Sequence, residues 1–126
     1  MKRTLLLLAA AAALLLVACG GGDSATPEAA ASEAGDPAAG RQVFNTGGSS
    51  QIPCATCHTL DGTDLVGPSL LGIGERAATT IPDMAAADYI HQAIVDPSAH
   101  VVEGFSDTMN KDYGERLSAQ EIDNLV

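Results

Sequence analysis

Two cysteines and a histidine stand together near the middle of the chain, in the run Cys54-Ala55-Thr56-Cys57-His58. Two thiols spaced three residues apart lie on the same side of a single helical turn, where both can react with one planar group. The C-x-x-C-H spacing is typical of covalent haem attachment, in which the thiols add to the two vinyl groups and the histidine is held beneath the iron. The motif predicts that Cys54, Cys57 and His58 bind haem c, with Nε2 of His58 as an iron ligand.

Three other chemistries are compatible with the same residue types. A thioredoxin-like redox pair would need a strand–helix–strand context and does not require the histidine. A zinc site would need a second pair of cysteine or histidine ligands, whereas His91 and His100 stand singly in the sequence. A disulfide between Cys54 and Cys57 would close a very small ring and contribute little stability. The histidine beside the second cysteine therefore favours haem attachment.

A second axial ligand of the iron must come from a distant part of the chain. Met84 lies at the start of a predicted helix and has little freedom to reach a haem, whereas Met109 lies in a long loop. Either methionine could instead be a packing residue. His100 is the alternative ligand, and His91 is expected to face solvent from a helix.

Short helices separated by long loops are expected to position these residues. Asp36-Pro37 predicts a helix at about 37–45, because an acidic N-cap followed by proline is a typical helix start. A second helix is predicted from Met84 to Val95, since apolar residues recur there at helical spacing and a proline follows.

The end of the chain shows two helix start signals at once. Ser118 with Glu121 forms a capping box, and Leu117 with Ile122 forms a hydrophobic staple. The glycine-rich segment 59–74 and the segment between Ser98 and Tyr113 are predicted to be loops. Because no alternating strand pattern is present, the predicted fold class is all-α.

Composition and charge limit the partners. The chain has 126 residues, of which 46% are apolar and 3% aromatic, and its formal charge is −10. Beyond Cys19 there are four basic and 16 acidic residues, which leaves −12. This charge argues against nucleic acid and anionic lipid headgroups, and it favours a redox partner with a basic docking patch. Such a short chain holds one domain, whose thin apolar supply suggests that a cofactor helps to fill the core.

The first 18 residues are predicted to be a signal peptide. Lys2-Arg3 precedes the apolar run Leu5–Leu16, which is shorter than the roughly 20 residues that a membrane-spanning helix needs. The following Leu16-Val17-Ala18-Cys19 resembles the lipobox of bacterial lipoproteins, which implies cleavage before Cys19 and lipid attachment to its thiol. The alternatives are an uncleaved anchor helix and ordinary cleavage that leaves Cys19 free.

Residues 19–35 combine this lipid-attachment cysteine with a segment rich in Gly, Ala, Ser and acidic residues. Because no large apolar side chain is present after Cys19, the segment is predicted to be a flexible linker. The expected location is the periplasmic face of a membrane, to which the lipid holds the domain.

From residue 36 to residue 126 the sequence resembles class I c-type cytochromes, which are small monohaem electron carriers. The resemblance rests on DPAAGRQVF as the first helix, CATCH as the haem motif, GPSLLGIG as the next loop, and a late methionine before a final helix. It implies a fold of three to five short helices and long loops around one covalently attached haem. In that family the last helix usually continues beyond the position of Val126, so the expectation is either that the sequence is a fragment with a truncated final helix or that the contact between the first and last helices is unusually small.

The resemblance also assigns roles to single residues. It implies that the Pro68 carbonyl accepts a hydrogen bond from Nδ1 of His58 and that Met109 is the second iron ligand. In this chain Met109 is followed by Asn110, whereas the family often has proline there. Gly40 and Phe44 correspond to the family's contact between the first and last helices. Arg76 is expected either to pair with a haem propionate or to be solvated.

The expected function is electron transfer between respiratory or photosynthetic partners by a membrane-tethered carrier, with no enzymatic activity. The alternatives are an electron-entry subunit of an oxidase or reductase, a peroxidase-like protein, and a haem sensor. Ligation by Met109 favours the carrier, since catalysis or sensing at iron needs an open or labile coordination position.

Overall fold

The computed structural model describes residues 35–126. The predicted signal peptide, the lipid-attachment residue Cys19 and nearly all of the linker lie outside the described residues. Within the described part the secondary structure is helical without strands, which confirms the all-α class. None of these helices is long and apolar enough to cross a membrane. The helices are α1 (Pro37–Thr46), α2 (Ile73–Thr80), α3 (Ala86–Val95), α4 (Tyr113–Arg116) and α5 (Ala119–Leu125), with 3-10 turns at Gly48–Ser50 and Cys54–Thr56.

Helix α1 begins and ends as its sequence predicts. The Asp36 carboxylate accepts hydrogen bonds from the backbone N–H groups of Ala38 at 2.8 Å and Ala39 at 3.4 Å. Pro37, which has no N–H to leave unpaired, occupies the first helical position. The helix stops at Gly47, whose φ of 83° lies in the left-handed region that favours glycine.

Helices α1 and α5 lie in close contact. Gly40 is buried in α1, and a Cβ at that position would overlap the backbone carbonyl of Asn124. The Asn124 side chain in turn accepts a hydrogen bond from the Asp36 backbone N–H at 2.9 Å. The contact between first and last helices that the resemblance implies for Gly40 is therefore present, and glycine permits the close approach. Beside it lies a core cluster of Val43, Tyr113, Leu117 and Ile122.

Helix α5 has the predicted capping box, and the same box contacts a distant turn. Ser118 Oγ accepts from the Glu121 backbone N–H at 3.3 Å, and the Glu121 carboxylate accepts from the Ser118 N–H at 2.9 Å. That carboxylate also accepts from the Ser49 backbone N–H at 2.8 Å and from the Ser49 hydroxyl. The hydrogen bond from the Ser49 hydroxyl is the main cause that lowers the pKa of Glu121 to about 2. The start of α5 is thereby joined to the turn that follows α1.

Helix α2 differs from the sequence prediction, which assigned 59–74 to a loop and predicted no helix after it. The chain enters this helix at Gly72, with φ of 66° and no side-chain cap. Glycines at 72 and 74 and the lack of a capping residue conceal the helix in the sequence. Packing of α2 against α3 decides the outcome, and Ala77 of α2 is fully buried. The short helix α4 was likewise not predicted, since a single turn carries little periodic signal.

Candidate haem-binding site

The C-x-x-C-H motif folds as a tight turn. The backbone N–H groups of Cys57 and His58 both donate to the carbonyl oxygen of Cys54 at 3.0 Å. Cys54 and Cys57 are thiols rather than a disulfide, and both are partly buried. The turn places both thiols and the His58 side chain in the wall of one cavity.

This cavity has the size and lining of a cofactor site. Its volume is about 750 Å³, within the range of about 300 to 1,000 Å³ that is typical of small-molecule sites. Side chains from α1, α3 and the two long loops supply an apolar wall. Six of the lining residues that show this character are Phe44, Ile52, Leu70, Tyr89, Ile94 and Phe105.

The His58 ring is held in one orientation by the loop that follows it. Nδ1 of His58 lies 2.8 Å from the carbonyl oxygen of Pro68. A carbonyl oxygen can only accept, so Nδ1 carries the proton of this hydrogen bond, and in the neutral ring Nε2 would then be the nitrogen with the lone pair that a metal needs. The Gly67 backbone N–H donates to the Cys57 carbonyl at 2.9 Å, which connects the loop to the cysteine turn.

Gly67 permits this arrangement, because its backbone lies against the imidazole. A Cβ at this position would lie 2.8 Å from Nδ1 of His58 and 2.9 Å from Nε2. Both separations are shorter than any ordinary contact of a Cβ, so a side chain at position 67 would displace the ring or the loop.

Among the other candidate ligands, Met109 and His100 line the cavity, and Met84 is not among its lining residues. Met109 is partly buried and packs against the core cluster. His100 meets Tyr89 edge to face, with ring centroids 5.7 Å apart. His91 is exposed on α3. The structure therefore brings Cys54, Cys57, His58 and Pro68 to the same cavity, together with both Met109 and the alternative ligand His100.

The competing chemistries lack the features that they need. Burial raises the pKa of the Cys54 thiol, whereas a redox-active cysteine needs a lowered pKa. The strand–helix–strand context of a thioredoxin-like pair is not found in residues 35–126. In the same range no three His, Cys, Asp or Glu side chains come close enough together to form a zinc-type donor set.

Sequence reasoning missed the groups that support the Pro68 loop. The Arg76 guanidinium donates to the carbonyl of Ser69 at 2.7 Å and to the carbonyl of Leu71. Arg76 is exposed and holds the loop backbone through these hydrogen bonds, a role that the sequence did not suggest. No local signal marks this role, because its acceptors are main-chain oxygens.

The donor set and the cavity fit a covalently attached haem. Two thiols, an imidazole with a free Nε2 lone pair and a thioether meet at an apolar cavity, and these are the groups that c-type haem requires. For the whole chain, a search of the curated proteins finds no match. The family model described as Cytochrome c matches residues 37–126.

Members of the matched family bind haem c covalently, one per small domain, and use it for electron transfer. Their domains are typically extracytoplasmic, and they work with redox partner proteins. The match includes α1 to α5 and the cysteine turn. The chain therefore belongs to the cytochrome c family.

Proposed function

We propose that the chain is a monohaem electron carrier in which His58 and Met109 are the two protein ligands of the iron. The observation that carries this proposal is the convergence of both side chains on the cavity that also contains the Cys54 and Cys57 thiols. When bound, the haem supplies reversible one-electron exchange between Fe(III) and Fe(II).

The side chains divide the work at this site. Cys54 and Cys57 provide the two thioether bonds, and the hydrogen bond from Nδ1 to Pro68 orients the His58 ring. The neutral sulfur of Met109 favours Fe(II) and raises the reduction potential relative to a second histidine. With His58 and Met109 holding the iron, no coordination position would be left open, which favours a carrier over an enzyme or a sensor of small ligands.

The carrier is proposed to act at a membrane on the periplasmic side. The support comes from the sequence, in the signal-like first 18 residues and the lipobox-like Leu16-Val17-Ala18-Cys19. A lipid on Cys19, followed by the linker, would keep the haem domain near membrane-bound redox partners and leave it free to rotate. The acidic charge beyond Cys19 suits partners that present a basic patch, because opposite charges steer encounter.

Replacement of Met109 by alanine tests the proposed ligands. The Met109→Ala protein, produced in a host with c-type haem maturation, should lose the charge-transfer band of methionine-ligated ferric haem. Its reduction potential should also fall, because the sulfur ligand that stabilises Fe(II) is gone. The measurements are the ferric absorption spectrum and a redox titration.

Met84→Ala is the matched control, since Met84 is partly buried but does not line the cavity. This variant should keep the charge-transfer band. Survival of the band in Met109→Ala, or its loss in Met84→Ala, would contradict the assignment of Met109.

A further inference from the structure

The peptide group between Pro68 and Ser69 is hydrogen-bonded at both ends. Its carbonyl oxygen accepts from Nδ1 of His58 at 2.8 Å. Its N–H donates to Oδ1 of Asp64, also at 2.8 Å. Because the C=O and N–H of one peptide group share a conjugated system, the imidazole and the carboxylate are connected through a single amide.

We propose that Asp64 is a positioning residue for His58, which acts through this peptide group on the imidazole. A negatively charged acceptor forms a stronger hydrogen bond with the Ser69 N–H than a neutral one does. That bond polarises the amide, so the Pro68 oxygen carries more negative charge and attracts the Nδ1 proton more strongly. The His58 ring becomes richer in electrons, which stabilises Fe(III) and lowers the reduction potential. The proposal rests on the proposed role of His58 as an iron ligand.

The Ser69 side chain holds the loop that carries this carboxylate. Its Oγ accepts hydrogen bonds from the backbone N–H groups of Gly62 at 3.0 Å and Leu71 at 3.2 Å. The Thr59 hydroxyl donates its proton to the Thr63 carbonyl at 2.6 Å. Since the Thr59 hydroxyl has only one proton, the hydrogen bond of 3.2 Å between the two hydroxyls is donated by Ser69 Oγ and accepted by Thr59. With one donated and two accepted hydrogen bonds, Ser69 is satisfied although only 8% of its surface is exposed.

Arg76 holds the same loop from the side of α2 through backbone carbonyls, and it forms no ion pair with Asp64. Its guanidinium donates to the Ser69 and Leu71 carbonyls, as described above. The ion pairs between side chains in residues 35–126 involve Asp107 and Asp112. The Asp64 carboxylate is thus directed to the Ser69 N–H by hydrogen bonds that fix the loop on both sides.

Asp64→Asn is the decisive variant, because it removes the charge and keeps an oxygen that can accept from the Ser69 N–H. Its matched control is Asp61→Asn. Asp61 belongs to the same loop and accepts from the Thr63 N–H at 2.9 Å, but that peptide group is not bonded to His58. The measurements on the holoprotein are the reduction potential and, in the reduced state, the NMR resonance of the His58 Nδ1 proton.

Relative to Asp61→Asn, the Asp64→Asn protein should be about threefold easier to reduce, which corresponds to about 28 mV for one electron. The Nδ1 proton of His58 should move upfield, because its hydrogen bond to Pro68 weakens. Asp64→Ala removes the acceptor as well as the charge, so the Ser69 N–H should exchange faster in this variant than in Asp64→Asn. If Asp64→Ala fails to fold, Asp64→Asn still tests the charge.

Equal shifts of the potential in Asp64→Asn and Asp61→Asn would mean that the charge acts only through space, and would overturn the proposal. An unmoved Nδ1 resonance in Asp64→Asn would overturn it as well. The ferric absorption spectrum of the unmodified protein is recorded first. Absence of the charge-transfer band from that spectrum would contradict the proposed iron ligands. If the unmodified protein shows the band but Asp64→Asn changes neither the reduction potential nor the Nδ1 resonance, only the role of Asp64 is rejected.

Discussion

At the scale of single residues, the position of the His58 ring depends on the absence of a side chain at Gly67. Gly67 brings the backbone against the imidazole, while the carbonyl oxygen of the next residue, Pro68, accepts a hydrogen bond from Nδ1. The same short segment therefore both supports the ring and orients it. Since the orientation of the ring decides which nitrogen is free for iron, a change at Gly67 acts directly on the proposed ligand.

We expect Gly67→Ala to disturb the site. The added Cβ would lie 2.8 Å from Nδ1 of His58, so the ring or the loop must move. Overpacking of this kind costs about 1 to 3 kcal/mol. Thermal unfolding of the holoprotein should show a lower Tm, and the His58 Nδ1 proton should exchange faster because its hydrogen bond is stretched.

Gly74→Ala is the control for this experiment. A Cβ at Gly74 would meet no atom within 4 Å, and alanine in a helix is favoured over glycine by about 1 kcal/mol. The control should therefore be as stable as the unmodified protein or more stable. A Gly67→Ala protein with the same Tm and the same exchange rate as this control would contradict the contact.

At the scale of helices and loops, the Glu121 carboxylate connects the first turn of α5 with the turn after α1. It accepts hydrogen bonds from Ser118 in its own capping box and from Ser49 across the fold. These bonds favour the charged form, which is why the pKa of Glu121 falls from 4.5 to about 2. A group with a lowered pKa in the folded state stabilises the fold above its ordinary pKa, and the stabilisation is lost as pH falls through the folded value.

Glu121→Gln should therefore make the domain less stable in a manner that depends on pH. At pH 7 we expect a loss of about 1 kcal/mol in the free energy of unfolding, the typical cost of a damaged helix cap. The difference from the unmodified protein should shrink as pH falls from 4.5 towards about 2, where the glutamate itself becomes protonated. Denaturant unfolding of both proteins at several pH values measures this difference in the free energy of unfolding.

Glu115→Gln provides the comparison, since Glu115 is an exposed glutamate in the first turn of α4. Its replacement should change the free energy of unfolding little at any pH. Equal losses in the two variants at pH 7, or a loss in Glu121→Gln that does not vary with pH, would refute the connection between α5 and the Ser49 turn.

At the scale of the whole molecule, a haem in the cavity would complete the core. The buried cluster of four side chains lies beside the large cavity, and none of the larger side chains in residues 35–126 is completely buried. Several apolar residues that line the cavity, such as Leu60, Val66 and Val101, are exposed to solvent in the protein alone. A large flat apolar group in the cavity would cover such surface, which agrees with the low aromatic content of the chain.

Attachment of the whole molecule to a membrane is tested at Cys19. In Cys19→Ser the thiol that would carry the lipid is lost, so we expect most of the protein to move from the membrane fraction to the soluble fraction. Fractionation of cells followed by a haem stain measures this. The haem spectrum should not change, because the cytochrome domain is unaltered.

Ser24→Ala, in the linker, is the control and should leave the protein in the membrane fraction. A Cys19→Ser protein that stays with the membrane would favour an uncleaved anchor helix. An unmodified protein that is already soluble would favour ordinary cleavage with a free Cys19. Either result would contradict the lipid anchor.

Several features were determined by the sequence alone, because their physical causes lie within a few residues. The start of α1 at Asp36 and the capping box of Ser118 with Glu121 depend on hydrogen bonds to neighbouring backbone groups. The two thiols and the histidine of the C-x-x-C-H turn are likewise brought together by local spacing. The all-α class and the cytochrome c family followed from such local signals, and the ligand role of Met109 stays a prediction.

Only the tertiary structure decided the rest, because the partners are distant in the chain or belong to the backbone. Helix α2 forms against α3 although its own start signals are weak. Arg76 binds main-chain carbonyls, Glu121 reaches Ser49, and Asp64 binds the peptide group that orients His58. Backbone donors and acceptors are present at nearly every residue, so a sequence does not show which of them a side chain will meet until the chain has folded.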